Sequence, residues 1–127
     1  MIKVTLGAFA DEASKDFNAQ IAALKRNNVY NIELRGLDGK NVSALTDDEA
    51  KAYAETLREN DVAVWSLGSP LGKIDITEPR EKHEEMLRRL MTLADIFGTK
   101  RIRMFSYFVA REDYKKYRDE VIDRLRA

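Results

Sequence analysis

Two spacings of apolar residues take turns along this chain. Alternating, strand-like runs lie at 2–9 (IKVTLGAF), 30–35 (YNIELR), from Val62 (VAVWSL) and from Arg101 (RIRMFS). Each is followed by apolar residues at helical spacing: Phe17, Ile21 and Leu24; Ala50, Tyr53, Ala54 and Leu57; His83, Leu87, Leu90, Ala94 and Phe97; Tyr114, Tyr117, Val121 and Leu125. A period of two puts alternate side chains on opposite faces of a sheet, and a period of 3.6 gives one apolar stripe on a helix. The first set predicts a helix over 15–27, with Ser14 as N-cap and Asn27-Asn28 as its stop. Thr46-Asp47-Asp48-Glu49 is a capping-box pattern opening a helix that runs to Glu59. Pro79 fits the first turn of a third helix, which Gly98 ends. The last set predicts a helix over 111–126, and Gly36…Asp38-Gly39 predicts a turn.

Strands alternating with helices imply parallel strands joined by right-handed crossovers. Eight such units close a TIM barrel of about 250 residues. This chain of 127 residues carries four. The expected fold is therefore α/β: a single domain over 1–127, a (βα)4 half of a TIM barrel with parallel strands. The first and fourth strands of such a half each keep an unpaired edge. Pairing strand four of one copy with strand one of another would rebuild a full set, so the pattern predicts a homodimer.

Charge and composition narrow the field. Lys plus Arg equals Asp plus Glu, 22 against 22, so no global field favours nucleic acid or an anionic membrane. The apolar runs are too short for a membrane span, and the opening MIKVTLGAF lacks the pattern of a secretory signal. Zero cysteines exclude disulfides, thiolate nucleophiles and Cys-based metal sites. The cytoplasm is the expected compartment.

In this architecture chemistry sits at the C-terminal ends of the strands. On strand two, Tyr30, Ile32 and Leu34 suit the helix layer, which leaves Asn31, Glu33 and Arg35 inside. On strand four, Ile102 and Met104 suit the helices, which leaves Arg101, Arg103 and Phe105 inside. Thr5, Gly7 and Phe9 of strand one join them. Such a face is a cup for an anionic or polyhydroxylated ligand, with arginines for carboxylate or phosphate and Glu33 for hydroxyls. The same residues also suit an internal Glu–Arg ion-pair network that settles its own charges. The loop Gly68-Ser69-Pro70-Leu71-Gly72-Lys73 is one residue too short between its glycines for a Walker A motif, and Ile74 stands where Ser or Thr is needed. It reads as a flexible loop over the mouth, with Ser69 and Lys73 as ligand contacts. His83, the sole histidine, falls on the outer helix layer and reads as structural or surface-exposed. Tyr107, Phe108, Tyr114 and Tyr117 lack the basic patch of a base-stacking platform and read as packing residues. Asp11-Glu12 reads as a loop and Asp47-Asp48 as a helix start. No converging set of carboxylates and histidine suggests a metal site.

The stretches FADEAS, IELRG, GSPLGKIDIT and IRMFSYF, in this order and spacing, resemble the N-terminal half of xylose-isomerase-like (β/α)8 proteins. These form the sugar-phosphate isomerase/epimerase group, which is related to endonuclease IV. The resemblance covers essentially the whole chain. It implies metal-assisted proton transfer on a sugar or sugar phosphate, with a divalent ion such as Mn or Mg held at the ends of strands five to eight. Those strands are absent here, so no catalytic residue, metal ligand or cofactor carries over. What carries over is the substrate-side rim: Phe9, Glu33, Arg35, Ser69, Lys73, Arg103 and Phe105.

Two expectations follow. The chain is an inactive-alone half of a sugar-phosphate isomerase/epimerase-like barrel, completed by a second copy or by a complementary C-terminal half. Alternatively it is a non-enzymatic half-barrel that binds or assembles as a homodimer. Nucleic acid and membrane are not expected partners.

Overall fold

The computed structural model describes residues 4–126. Three strands form a parallel sheet in the order β1 (Asn31–Leu34), β4 (Ala63–Gly68), β5 (Ile102–Arg103). A small antiparallel pair, β2 (Gly36–Leu37) and β3 (Lys40–Asn41), occupies the expected turn segment. Among the described residues there are four α-helices: α1 (Phe17–Arg26), α2 (Asp47–Glu59), α3 (Glu81–Phe97) and α4 (Arg118–Arg126). The fold is mixed α/β, with parallel strands joined through helices as the alternating pattern predicts. No helix among the described residues is long and apolar enough to cross a membrane.

The core lies between the sheet and the first three helices. Leu34, Leu37, Val42, Ala50, Leu67, Leu90 and Leu93 are completely buried there. At about 25 cal/mol per Å² of apolar surface, each such leucine contributes about 2 kcal/mol through burial. Polar contacts fix how the layers meet. The Asp38 carboxylate accepts from the Phe17 amide at 2.8 Å and from the Tyr53 hydroxyl at 2.9 Å, so one side chain ties α1 to α2. Burial, helped by this carboxylate, pushes the Tyr53 phenol up to about 12. Arg89 of α3 pairs with Asp47 and donates to the Leu45 carbonyl at 2.6 Å.

Several boundaries differ from expectation. The cap of α1 is Asp16, which accepts from the Ala19 amide at 2.7 Å, while Ser14 accepts from the Asp16 amide. A carboxylate is the stronger partner for a helix N-terminus, and it starts the helix two residues later than expected. Asn28 takes the left-handed conformation (φ 54°) just past the helix, as predicted. The capping box at Thr46 is present with both of its hydrogen bonds. Pro79 stands before the N-cap Arg80 rather than inside the first turn of α3. Gly98 ends α3 with φ 70°.

The two outer strands are shorter than the apolar pattern suggests. Residues 1–3 of the first lie outside the described part. The rest pairs only at Ala8, which forms a parallel bridge to Ile32. Val4 and Leu6 stay 72% and 63% exposed, so no helix layer closes over them. The fourth strand is expected over 101–106, but β5 ends at Arg103 because its neighbour runs out: β4 stops at Gly68, and the Ser69 amide, next in line toward β5, turns back to the Leu67 carbonyl. From there the chain bonds to the loop instead. The amides of Phe105, Tyr107 and Phe108 donate to the carbonyls of Leu71, Gly72 and Ile74. Tyr30 and Met104, assigned by parity to the helix layer, are exposed because they lie just beyond the strand ends. The expected helix over 111–126 is a 3-10 turn (Arg111–Asp113) followed by α4. Neither contributes a buried residue, and a short segment without a packed face holds little helix.

Candidate functional site

A register shift in the central strand sets the polar face. Glu33 pairs with Ser66 although Ile32 pairs with Val64, so Trp65 is an extra residue in β4. Such a bulge reverses the alternation beyond it. Leu67 therefore joins Leu34 and Ile102 on the helix side, and Gly68 faces the same way as Arg103. A Cβ at Gly68 would lie 3.0 Å from the Arg35 Cβ, 3.2 Å from Arg103 Nη2 and 3.2 Å from the Phe9 ring. The missing side chain lets Arg103 reach across β4 to Glu33, with Nε donating to Oε1 at 2.6 Å.

Above Gly68, at the C-terminal ends of the strands, is a hollow of about 370 Å³ lined by Phe9, Arg35, Asn41, Gly68, Ser69, Pro70, Lys73, Arg103 and Phe105. Six of the seven rim residues expected from sequence meet in it: Phe9, Arg35, Ser69, Lys73, Arg103 and Phe105. Glu33 does not line it. It lines a neighbouring hollow of about 280 Å³ with Thr5, Gly7, Asn31 and Trp65, and it touches the first only through Arg103.

The three cations of the hollow differ in how far they are committed. Arg35 is spoken for: it donates to Asp11 at 2.7 and 3.1 Å and to Glu12 at 2.6 Å. These carboxylates raise its already high pKa further. Arg103 gives only Nε to Glu33, so its two Nη groups have no protein acceptor among the described residues. Lys73 has no carboxylate within salt-bridge distance among the described residues, and its ammonium sits 5.8 Å from the Phe105 ring centroid. Phe9 lies under both arginines, 4.7 Å from Arg35 and 5.3 Å from Arg103, and Phe105 lies 5.0 Å from Arg103. Aromatic faces hold guanidinium groups in place without neutralising them.

The loop 68–73, expected to be flexible, is tied down. Ser69 Oγ donates to the Arg103 carbonyl at 2.7 Å and accepts from the Leu71 amide at 3.2 Å. The hydroxyl thus holds the wall of the hollow in place. Gly72 takes φ 76°, and a Cβ there would stand 1.7 Å from the Phe105 carbonyl oxygen. The Gly72 amide donates to His83 Nε2, so of the two expected placements, structural or surface, the sole histidine takes the buried one.

Asp11 and Glu12 were not expected at the site. The 3-10 turn Ala10–Glu12 carries them to Arg35, and their position just after a strand end was the available signal. Asn41 had no signal, because β2 and β3 bring it to the rim from a segment that reads as a turn. Among the described residues no group of three or more His, Cys, Asp or Glu could hold a metal ion. The divalent ion implied by the resemblance does not fit these residues. No protein-family model matches the chain, and no curated protein matches it either.

Proposed function

We propose that this chain is the substrate-side half of a sugar-phosphate isomerase/epimerase-like barrel, and that its hollow takes the anionic end of a phosphorylated sugar. One observation carries this reading. Phe9, Arg35, Ser69, Lys73, Arg103 and Phe105 come from four separate segments, yet all line a single hollow at the C-terminal ends of parallel strands. Lys73 and the uncommitted Nη groups of Arg103 supply charge-assisted donors for phosphate. Glu33 and Arg35 serve as the frame that holds Arg103 and Phe9 in place. The chain holds no catalytic machinery in this reading, and proton transfer belongs to a second half. That half is another copy meeting the open strand edges, or a separate complementary chain.

The test is a two-dimensional NMR titration with a ketose phosphate, the unphosphorylated ketose and inorganic phosphate. The ketose phosphate is expected to shift the Lys73 and Phe105 amides most strongly, and Lys73→Ala is expected to weaken binding about tenfold, the worth of one charge-assisted contact. No shift with any of the three at millimolar concentration overturns the reading.

A second reading, a non-enzymatic half-barrel that assembles as a homodimer, draws on the exposed Leu6 and Trp65 that line the neighbouring hollow and on the exposed Val4. Sedimentation of a stable monomer at high concentration would count against it.

A further inference from the structure

The loop that walls the hollow is held from behind by a single titratable side chain. His83 Nε2 accepts the Gly72 amide proton, so the imidazole is neutral with its proton on Nδ1. Around Gly72 the bonds converge. Its carbonyl accepts from the Tyr107 amide at 3.0 Å, the adjacent Leu71 carbonyl accepts from the Phe105 amide at 2.7 Å, and Lys73 donates its own amide to the Pro70 carbonyl at 2.9 Å. Tyr107 completes the far side with φ 72°, a conformation costly for a side chain of this size. Its ring centroid lies 5.7 Å from that of His83. Strain of this kind persists only where neighbours impose it.

We propose that His83 is a proton-operated latch: neutral, it fixes the loop carrying Ser69 and Lys73, and protonated, it releases that wall. Imidazolium has no acceptor lone pair, so one proton removes the bond to Gly72 and sets two N–H donors against each other. Among the charged groups around His83, Arg124 favours the neutral form. Arg124 of α4, with its guanidinium 5.5 Å from the Tyr107 ring, faces the same groove, as do the N-cap Arg80 and, on α3, Glu84 and Arg88. Arg80 and Glu84 pair with each other, and Arg88 also pairs with Glu84. Glu78, before α3, is the carboxylate that opposes the effect. Burial first, then Arg124, lowers the His83 pKa from its ordinary 6.5, and Glu78 offsets part of this. The sign follows. Latch stability is fully present above about pH 6.5 and is lost as pH falls below it through the lowered folded value.

That this controls ligand capture rests on the proposed function; that it controls the loop does not. Amide hydrogen exchange on the unliganded chain between about pH 7 and pH 5, corrected for intrinsic rates, reads the loop directly. The Gly72 and Phe105 amides are expected to lose protection by up to about tenfold per pH unit between about pH 6.5 and the lowered folded value, the limit for uptake of one proton, and to level off below it. His83→Gln keeps an acceptor that does not titrate and should flatten the profile while leaving the loop protected. His83→Ala should leave these amides poorly protected at every pH. A profile in His83→Gln that matches the wild type, or wild-type protection indifferent to pH, overturns the latch. A latch that titrates in a chain that binds no sugar phosphate supports the latch and removes only the functional reading.

Discussion

The stretch from Asn31 to Gly68 and the stretch beyond Arg103 are both attached to the same sheet, but by different means. The first buries leucines to zero exposure on both β1 and β4 and caps α2 with a full capping box. The second has no buried residue in its 3-10 turn or in α4, and Phe108, Tyr114 and Leu125 are 53%, 59% and 45% exposed. What holds the second stretch is backbone: four bonds between 71–76 and 105–108, together with Arg124 donating to the Glu78 carbonyl at 3.0 Å. One region is secured by many small apolar contacts, the other by a few directional ones through the site loop. A core tolerates a lost methyl group in proportion to its volume. A clasp of few bonds is lost as a unit.

That contrast sets the order of expected effects. Gly72→Ala should be the most damaging, because the new methyl group meets the Phe105 carbonyl and φ is positive; a loss of about 4 kcal/mol or more is expected in urea unfolding. A loss below about 1 kcal/mol would mean that the clasp is not built as described. Next comes a pair that divides the regions. Leu34→Ala should cost about 2–5 kcal/mol, whereas Leu125→Ala should stay within about 0.5 kcal/mol. Equal costs would erase the distinction. Smaller still is Thr46→Ala at about 1 kcal/mol, from loss of the α2 cap. The same cap gives a pH signature. The hydrogen bond from Lys40, then that from the Thr46 amide, holds the Glu49 carboxyl down from 4.5 to about 2. Its contribution is present above pH 4.5 and is lost as pH falls toward 2, so the Thr46 amide shift should move in that window.

The regions also differ in how legible they were. Helices α2 and α3 and strand β1 follow from periodicity and caps because burial on one face is what writes those patterns. Six rim residues could be named because parity assigned Arg35, Arg103, Phe9 and Phe105 to one face and the loop supplied Ser69 and Lys73. The bulge at Trp65 could not be foreseen. VAVWSLG alternates well enough without an inserted residue, and only the partner strand shows the slip. The short β5 was hidden for a related reason: RIRMFS has strand character throughout, but a ladder needs a neighbour, and the neighbouring segment turns away at Ser69. Of the two readings of Glu33, the internal pairing is present in the structure as its bond to Arg103 across Gly68.

The inserted residue of β4 is the chain's only tryptophan, and it is 47% exposed beneath the Arg101 guanidinium, 3.9 Å from the ring centroid. The molecule thus carries one indole fluorophore, placed on the face that the proposed second half would cover. Its emission should shift to the blue when that face loses water, and it should stay unchanged when a small anion enters the other hollow. The proposed assembly can therefore be followed in the unlabelled protein without interference from an anion in the other hollow.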